Sequence, residues 1–179
     1  MQTNICESTF NKRKEKMMTN EKYTELVNLY ADTLFRIAFT YCSNKEDAED
    51  VVQNTFLKLY NSKKVFDNST HMKNWLIKVT VNNCKHLYKS PWKSRVALLE
   101  EYDELNLYSF DKYSEQSELF NAVMQLPDKL RITIHLYYYE DYSIKKIAKL
   151  LSVSESAVQN RLMRGREKLK SVLMEDIYE

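Results

Sequence analysis

Residues 144–162 read IKKIAKLLSVSESAVQNRL, and this stretch decides the fold of the second half of the chain. Apolar residues in its first part recur at the three- and four-residue steps of a helix: Ile144, Ile147, Ala148 and Leu151. Ser154 ends a short polar turn and is a preferred helix N-cap. Val158 and Leu162 then pack the second helix against the first. The stretch predicts a helix-turn-helix, and the alternative is an ordinary helical hairpin with a basic outer face.

The exposed start of the second helix is where a helix-turn-helix contacts the edges of DNA bases. Small and amide side chains occupy that start: Ser156, Ala157, Gln159 and Asn160. An amide can bond adenine through two hydrogen bonds, whereas a serine is less selective. Basic residues follow at positions suited to phosphates: Arg161, Arg164 and Lys168. We therefore predict that this helix binds duplex DNA.

Composition narrows the fold of the whole chain to helices. The 179 residues include one glycine and two prolines, whereas average usage would give roughly a dozen glycines and about nine prolines. Phosphate-binding loops and tight hairpins depend on glycine, so Rossmann domains, P-loop enzymes and β-rich sandwiches are disfavoured. A hydrophobic share of 44% supports a packed core. The three cysteines are far apart and accompany no Cys/His cluster, which predicts neither a metal site nor a disulfide framework.

Helical periodicity and helix breakers divide the chain into segments. The predicted helices cover residues 22–42, 45–60, 72–89, 115–125, 131–139, 143–151 and 154–173. The segment 131–139 is rich in β-forming residues, but no partner strand is evident, so we predict a helix there. The expected organisation is all-α, with a disordered polar tail over 1–20, a helical domain over 21–91, a flexible acidic linker over 92–114 and a second helical domain over 115–179. No apolar run approaches the ~18 residues that cross a membrane.

Charge is distributed unevenly, although the formal net charge is only +2. Residues 71–95 contain six basic side chains and no acidic one, and residues 154–170 contain five basic and two acidic ones. Between them, residues 96–118 contain seven acidic side chains and one lysine. A single basic helix is often a solvated face, but basic helices also neutralise phosphates and release counterions. Two basic helices that flank an acidic segment favour nucleic-acid binding.

Two further segments have both a functional and a structural interpretation. Around Trp75, lysines and amides accompany an aromatic ring, a combination that binds unstacked bases, although a lone tryptophan on an amphipathic helix is more often core. On the helix 45–60, Asp50, Gln53 and Asn54 lie off the apolar stripe, which simple solvation of an acidic helix start also explains. The three histidines are scattered and accompany no nucleophile, so the sequence predicts no enzyme.

Four segments, in order, resemble those of a bacterial sigma factor of the extracytoplasmic-function (ECF) group of the sigma-70 family. Residues 47–57, DAEDVVQNTFL, resemble the polymerase-binding helix, and residues 75–85, WLIKVTVNNCK, resemble the promoter-melting and −10 recognition helix. The segments LPDK at 126–129 and YYYEDYS at 137–143 resemble the entry to the −35-binding domain. Residues 147–162 resemble its helix-turn-helix. The resemblance covers roughly residues 22–175.

The resemblance implies a protein that binds core RNA polymerase, directs it to promoters through −35 and −10 elements and assists promoter melting. The implied contacts with the β′ clamp helices are Asp50, Gln53, Asn54 and Leu57, and the β flap is a further implied contact. The implied −10 contacts are Phe66, Asn68, His71, Lys73, Trp75, Lys78, Asn82, Asn83 and Lys85. The helix-turn-helix side chains named above are the implied −35 contacts. An anti-sigma factor is a further implied partner and the cytoplasm the implied location, while no cofactor, metal ion or direct membrane insertion is implied.

The chain departs from the family pattern at a few positions. Asn54 stands where glutamate is usual, and His86 where aspartate is frequent. Gln159 and Asn160 differ from the frequent lysine and serine, which leaves the promoter sequence open. The alternative function is a stand-alone helix-turn-helix regulator. Such regulators usually dimerise on a palindromic duplex, and no dimer seam is evident in this sequence.

Overall fold

A computed structural model describes residues 18–89 and 118–175, and all regular structure within these two ranges is α-helical. Residues 18–89, here the N-terminal unit, contain α1 (Asn20–Cys42), α2 (Lys45–Tyr60) and α3 (Ser69–Lys89). Residues 118–175, here the C-terminal unit, contain α4 (Glu118–Met124), α5 (Asp128–Tyr138), α6 (Ile144–Leu151) and α7 (Glu155–Glu175). The predicted all-α fold with two helical regions is confirmed. The predicted linker over 92–114 and residues 1–17 of the predicted tail lie outside the described residues.

The N-terminal unit packs its three helices around an apolar core. Side chains from all three helices are almost fully buried there: Leu34, Ile37, Leu59, Leu76, Ile77 and Val81. Asn44 caps α2, because its Oδ1 accepts the main-chain N–H of Asp47 at 2.9 Å. Helix α3 begins at Ser69, earlier than the predicted residue 72. The cause is a second asparagine cap, since Asn68 Oδ1 accepts the N–H of His71 at 2.8 Å.

Helix α5 is the segment whose composition favours a strand. It begins directly after Pro127 and buries nearly its whole circumference. Its β-branched residues Ile132, Thr133 and Ile134 are all buried. Helix α5 packs against α1 on one side and against α7 on another. Tertiary packing on several faces therefore outweighs the local strand preference, and the predicted helix is confirmed.

Helices α6 and α7 form the predicted helix-turn-helix. The turn is closed by Ser152 in the left-handed conformation, with φ 57°. Ser154 caps α7, because its Oγ accepts the N–H of Ala157 at 3.2 Å. The predicted contact residues Ile147, Val158 and Leu162 are almost fully buried between the helices.

The two units pack directly on each other. Helix α1 contacts α5, and α3 contacts α6. Buried apolar residues of both units form one continuous cluster. The sequence predicted two domains but not their contact, so this shared interface is a finding of the structure. Within the described residues, no helix combines the length and apolar character needed to cross a bilayer.

Candidate nucleic-acid interface

Helix α7 presents the predicted base-reading and phosphate-binding side chains at its surface. The exposed members are Ser156, Gln159, Asn160, Arg164 and Lys168, and the half-buried ones are Ala157 and Arg161. Ser156 Oγ lies 3.0 Å from Ser154 Oγ, so its hydroxyl belongs to the N-terminal cap of α7. The two amides stand near the positive end of the helix dipole, and the basic residues lie further along.

Arg161 differs from the other basic residues of α7 because it is half-buried, whereas they are exposed. Burial, with help from Asp128, raises the pKa of the Tyr41 phenol to about 12, and the positive charge of Arg161 opposes this rise. Tyr41 belongs to the last turn of α1. In the packed arrangement Arg161 therefore interacts electrostatically with the other unit.

A small aromatic cluster joins the segment before α3 to the start of that helix. The rings of Phe66 and Trp75 meet edge to face with centroids 5.4 Å apart, and those of Phe66 and His71 at 5.6 Å. Lys64 Nζ lies 5.8 Å from the Trp75 ring centroid. Trp75 is half-buried, so it packs against the core while part of its ring faces this segment.

The polar and basic side chains of α3 differ in their exposure to solvent. Lys78 is exposed and Asn82 is half-buried. Asn83 is buried, and its amide is turned into the N-terminal unit. Its Nδ2 donates to Thr55 Oγ1 at 3.1 Å, and its Oδ1 accepts a hydrogen bond from Lys58 Nζ. This amide links α3 to α2.

Two lysines of α3 that were predicted to contact DNA are engaged by the C-terminal unit. Lys73 Nζ lies 2.9 Å from Glu140 Oε2, and Lys85 Nζ donates to the main-chain oxygen of Leu151 at 2.8 Å. Beside them, the Tyr142 hydroxyl and Asn74 Oδ1 are 3.2 Å apart. The sequence placed Glu140 and Tyr142 in the segment that resembles the entry to the −35-binding domain, but it did not indicate that they contact α3.

The predicted polymerase-binding residues lie together on one exposed face of α2. Asp50, Gln53 and Asn54 are exposed, and Leu57 is an apolar side chain left 54% exposed. Asn54 Nδ2 donates to the main-chain oxygen of Asp50 at 2.9 Å. These side chains form a polar face of α2 that carries one exposed apolar residue. Among residues 18–89 and 118–175, no three or more His, Cys, Asp or Glu side chains are grouped as metal ligands would be.

Comparison with known proteins identifies the two units. Residues 26–94 match the family described as sigma-70 region 2, and residues 116–169 match sigma-70, region 4. The chain belongs to the sigma-70 family. Its relatives place this sigma factor in the ECF group, as the resemblance implied. Members of the family direct transcription and are not enzymes, so this sigma factor is not an enzyme either.

Two curated relatives illustrate the degree of similarity. The sigma factor is 30% identical over 160 residues to the ECF RNA polymerase sigma factor SigE of Mycolicibacterium smegmatis, an alignment that covers 84% of this chain and 61% of that protein. It is 26% identical over 163 residues to the RNA polymerase sigma factor SigV of Bacillus subtilis, which covers 91% and 98% respectively. The chain therefore spans less than two thirds of SigE and nearly all of SigV.

Solved structures share the fold of this sigma factor. The sigma factor RpoE, crystallised with the anti-sigma factor NepR from Bartonella quintana, matches with a TM-score of 0.70 at 18% identity, over 86% of this chain and 98% of that one. CnrH, in complex with the cytosolic domain of CnrY, matches with a TM-score of 0.60 at 23% identity, over 88% and 91%.

Proposed function

We propose that this ECF sigma factor binds core RNA polymerase through α2 and recognises promoters through α3 and α7. The observation that carries the proposal is the match to sigma regions 2 and 4 in their order along one chain. The N-terminal unit supplies the polymerase contact and the −10 contact, and the C-terminal unit supplies the −35 contact. Phosphoryl transfer itself belongs to the polymerase.

The polymerase contact rests on the exposed face of α2. Asp50, Gln53, Asn54 and Leu57 engage the clamp helices of the β′ subunit in this proposal. Leu57 supports it because a single exposed leucine gains free energy when a partner covers it, and the polar residues around it give the contact its orientation. Asn54, in place of the usual glutamate, lacks one negative charge. The C-terminal unit contacts the β flap.

The −35 contact rests on the exposed start of α7. Gln159 and Asn160 read base edges in the major groove, and Arg164 and Lys168 bind phosphates. Ser156 and Ala157 lie at the entry of the helix, where small side chains permit close approach. Arg161, which is half-buried, is also a phosphate ligand in this proposal.

The −10 contact rests on α3 and the segment before it. The aromatic cluster of Phe66, His71 and Trp75, with Asn68 beside it, holds an unstacked base, and the energy of unstacking is recovered through stacking and hydrogen bonds. The single strand then follows the polar and basic side chains of α3: Lys73, Lys78, Asn82 and Lys85. We leave Asn83 out of this set because its amide is bonded inside the N-terminal unit.

We propose an anti-sigma factor that covers these surfaces as a further partner. In the solved structures cited above, RpoE is bound to the anti-sigma factor NepR, and CnrH is bound to the cytosolic domain of CnrY. We place the protein in the cytoplasm, where the polymerase works.

A reconstituted transcription assay tests the function. Purified protein is added to core RNA polymerase with a pool of genomic DNA fragments, and the transcripts are sequenced. We expect initiation from a restricted set of fragments sharing −35 and −10 elements. Gln53→Ala serves as a surface variant and should weaken binding to core polymerase. A protein that binds a palindromic duplex unaided, as a dimer, and never directs initiation is instead a stand-alone regulator.

A further inference from the structure

Lys58, an exposed lysine of α2, reaches across to α3. Its ammonium group donates a hydrogen bond to Oδ1 of Asn83. Lys58 directly follows Leu57 and lies one helical turn beyond Asn54, so it stands at the edge of the exposed face of α2. Lys58 belongs neither to the proposed polymerase contact nor to the proposed −10 contact, and its bond to α3 has no part in either.

The bond from Lys58 is the outer end of a chain of hydrogen bonds between α2 and α3. Asn83 Nδ2 donates to Thr55 Oγ1 at 3.1 Å, and Thr55 Oγ1 lies 3.2 Å from Thr80 Oγ1. Thr55 and Thr80 are fully buried, and Asn83 nearly so. Both polar atoms of the Asn83 amide are therefore bonded to side chains of α2, one at the surface and one in the interior.

This chain of bonds constrains how α3 is rotated about its own axis. Apolar contacts have no preferred direction, whereas hydrogen bonds do, so the amide of Asn83 fixes the rotation more narrowly than the apolar core alone. Asn82 is the neighbouring residue and points about 100° away around the helix. A rotation of α3 that released Asn83 would turn Asn82 by the same angle. An amide that reads a base edge needs both of its polar atoms in place, so such a rotation would weaken its discrimination between bases.

We propose that Lys58 is a positioning residue for −10 recognition, which holds Asn83 and thereby keeps Asn82 directed at the base that it reads. Lys58 touches neither DNA nor polymerase in this function. Because its side chain is exposed, it can be replaced without leaving a cavity in the core. The inference rests on the −10 contact proposed above for Asn82, and its experiment separates the two.

Lys58→Met is the test variant, Lys58→Arg the conservative replacement and Lys63→Met the matched control. Lys63 is an exposed lysine of the segment after α2, and its replacement changes the net charge by the same amount. Each full-length protein is assembled with core polymerase. Fluorescence anisotropy then gives its affinity for single-stranded oligonucleotides that carry either the −10 sequence found in the transcription assay or a single-base substitution of it. The variant Asn82→Ala identifies the base position whose discrimination depends on Asn82.

At that position, we expect Lys58→Met to lower the ratio of preferred to substituted affinity by about threefold or more. The ratios at the other positions should not change. Lys58→Arg keeps a donor and should retain most of the ratio, and Lys63→Met should match the wild type. Asn83→Leu should show the same loss as Lys58→Met, and adding Lys58→Met to it should have no further effect, because the lysine acts only through that amide.

Three results would overturn the proposal: unchanged discrimination in Lys58→Met, an equal loss of affinity for every oligonucleotide, or a further loss when Lys58→Met is added to Asn83→Leu. An equal loss would show a merely structural contribution, and a further loss would show direct contact with DNA or polymerase. The wild-type holoenzyme tests the proposed function by itself. If it discriminates at no −10 position, the −10 assignment is wrong and the function of Lys58 is rejected with it.

Discussion

Arg131 of α5 donates hydrogen bonds to the main-chain oxygens of Thr40 and Tyr41 in the last turn of α1. Its guanidinium also donates to the main-chain oxygen of Met124 at the end of α4. The last carbonyls of a helix lack partners within the helix and carry partial negative charge. One buried arginine thus stabilises the ends of two helices and joins the N-terminal and C-terminal units.

Replacement of Arg131 should destabilise the protein strongly. Arg131→Met leaves the carbonyls of Thr40, Tyr41 and Met124 without this donor in a buried place, and we expect a loss of about 3 kcal/mol in the free energy of unfolding. Arg131→Lys should recover only part of that loss, because an ammonium group cannot reach acceptors arranged for a planar fork. Urea unfolding measures both. Arg164→Met, at an exposed site, is the control and should change stability by less than about 0.5 kcal/mol.

The buried His135 should make the free energy of unfolding depend on pH. Its Nδ1 lies 3.2 Å from Thr40 Oγ1, and its ring stacks on Tyr139 at 5.2 Å between centroids. Burial, and secondarily the charge of Arg36, lowers the pKa of His135 to about 4, from about 6.5 in an unfolded chain. Between these values the unfolded state binds the extra proton, so the free energy of unfolding should decline as pH falls from about 6.5, by up to about 3 kcal/mol at pH 4.

His135→Asn isolates that contribution, because asparagine keeps a polar group near the position of Nδ1 but does not titrate. Carboxyl groups also titrate in this range, so the informative quantity is the difference between the wild-type and variant curves. We expect the difference to be constant above pH 7 and to change steadily between about pH 6.5 and 4. Parallel curves over this whole range would show that His135 is not buried in its neutral form.

Most of the helices, and the cap of α7, were predictable because their causes are local. Apolar spacing indicated α2 and the pair α6–α7, and the predicted cap Ser154 lies three residues before the N–H group that it accepts. The Asn68 cap was not predicted, so the predicted start of α3 was three residues late. The packing of the two units was not predictable, since its contacts join residues far apart in sequence, such as Arg131 and Thr40. One signal was present: Arg131 is a charged residue inside a predominantly apolar segment that becomes buried.

For the candidate site, the sequence predicted which residues lie on a helix, but it did not predict which side of the helix each residue faces. Asn82 and Asn83 are adjacent and chemically identical, and both were predicted to contact DNA. The structure bonds Asn83 to α2 and leaves Asn82 half-buried. The rotation of α3 is set by the fit of its apolar face against α1 and α2, which local sequence does not specify.

The adjacent asparagines give a matched pair of variants. Asn83→Leu leaves Thr55 and Lys58 without this amide, so we expect a loss of about 1–3 kcal/mol in the free energy of unfolding. Asn82→Leu should change stability by less than about 0.5 kcal/mol and should weaken −10 recognition in the transcription assay. Equal stability losses for the two variants would contradict the placement of Asn83.

Gly165, the single glycine, lies inside α7 where that helix meets α5. A Cβ placed there would lie 3.0 Å from Ile134 Cγ1 and 3.1 Å from its Cδ1. Gly165→Ala gains about 1 kcal/mol of helix propensity, which displacement of Ile134 offsets, so its net effect should be within about 1 kcal/mol of zero. Gly165→Leu should lose more than about 2 kcal/mol, because a larger side chain has no space.

Combining Ile134→Val with Gly165→Ala tests whether contact with Ile134 limits the stability of Gly165→Ala. Removing Cδ1 from Ile134 relieves part of the contact, so Gly165→Ala should be more favourable in the Ile134→Val background than in the wild type. A double-mutant cycle by thermal unfolding measures the coupling. Additive effects would place the two residues out of contact, and full tolerance of Gly165→Leu would contradict the close packing of α5 on α7.

Two variants of α7 test whether different side chains recognise bases and bind phosphates. Gln159→Ala removes an amide at the exposed start of the helix, and it should relax −35 base preference while costing about 1–3 kcal/mol on the preferred sequence. Arg164→Ala removes a phosphate ligand, and it should weaken binding to all sequences by a similar factor and reduce the salt dependence by about one ion. Binding of polymerase holoenzyme to a library of −35 variants at several salt concentrations distinguishes the two. Altered base preference in Arg164→Ala, with unchanged salt dependence, would reverse the assignment, because a phosphate contact carries no direct sequence information.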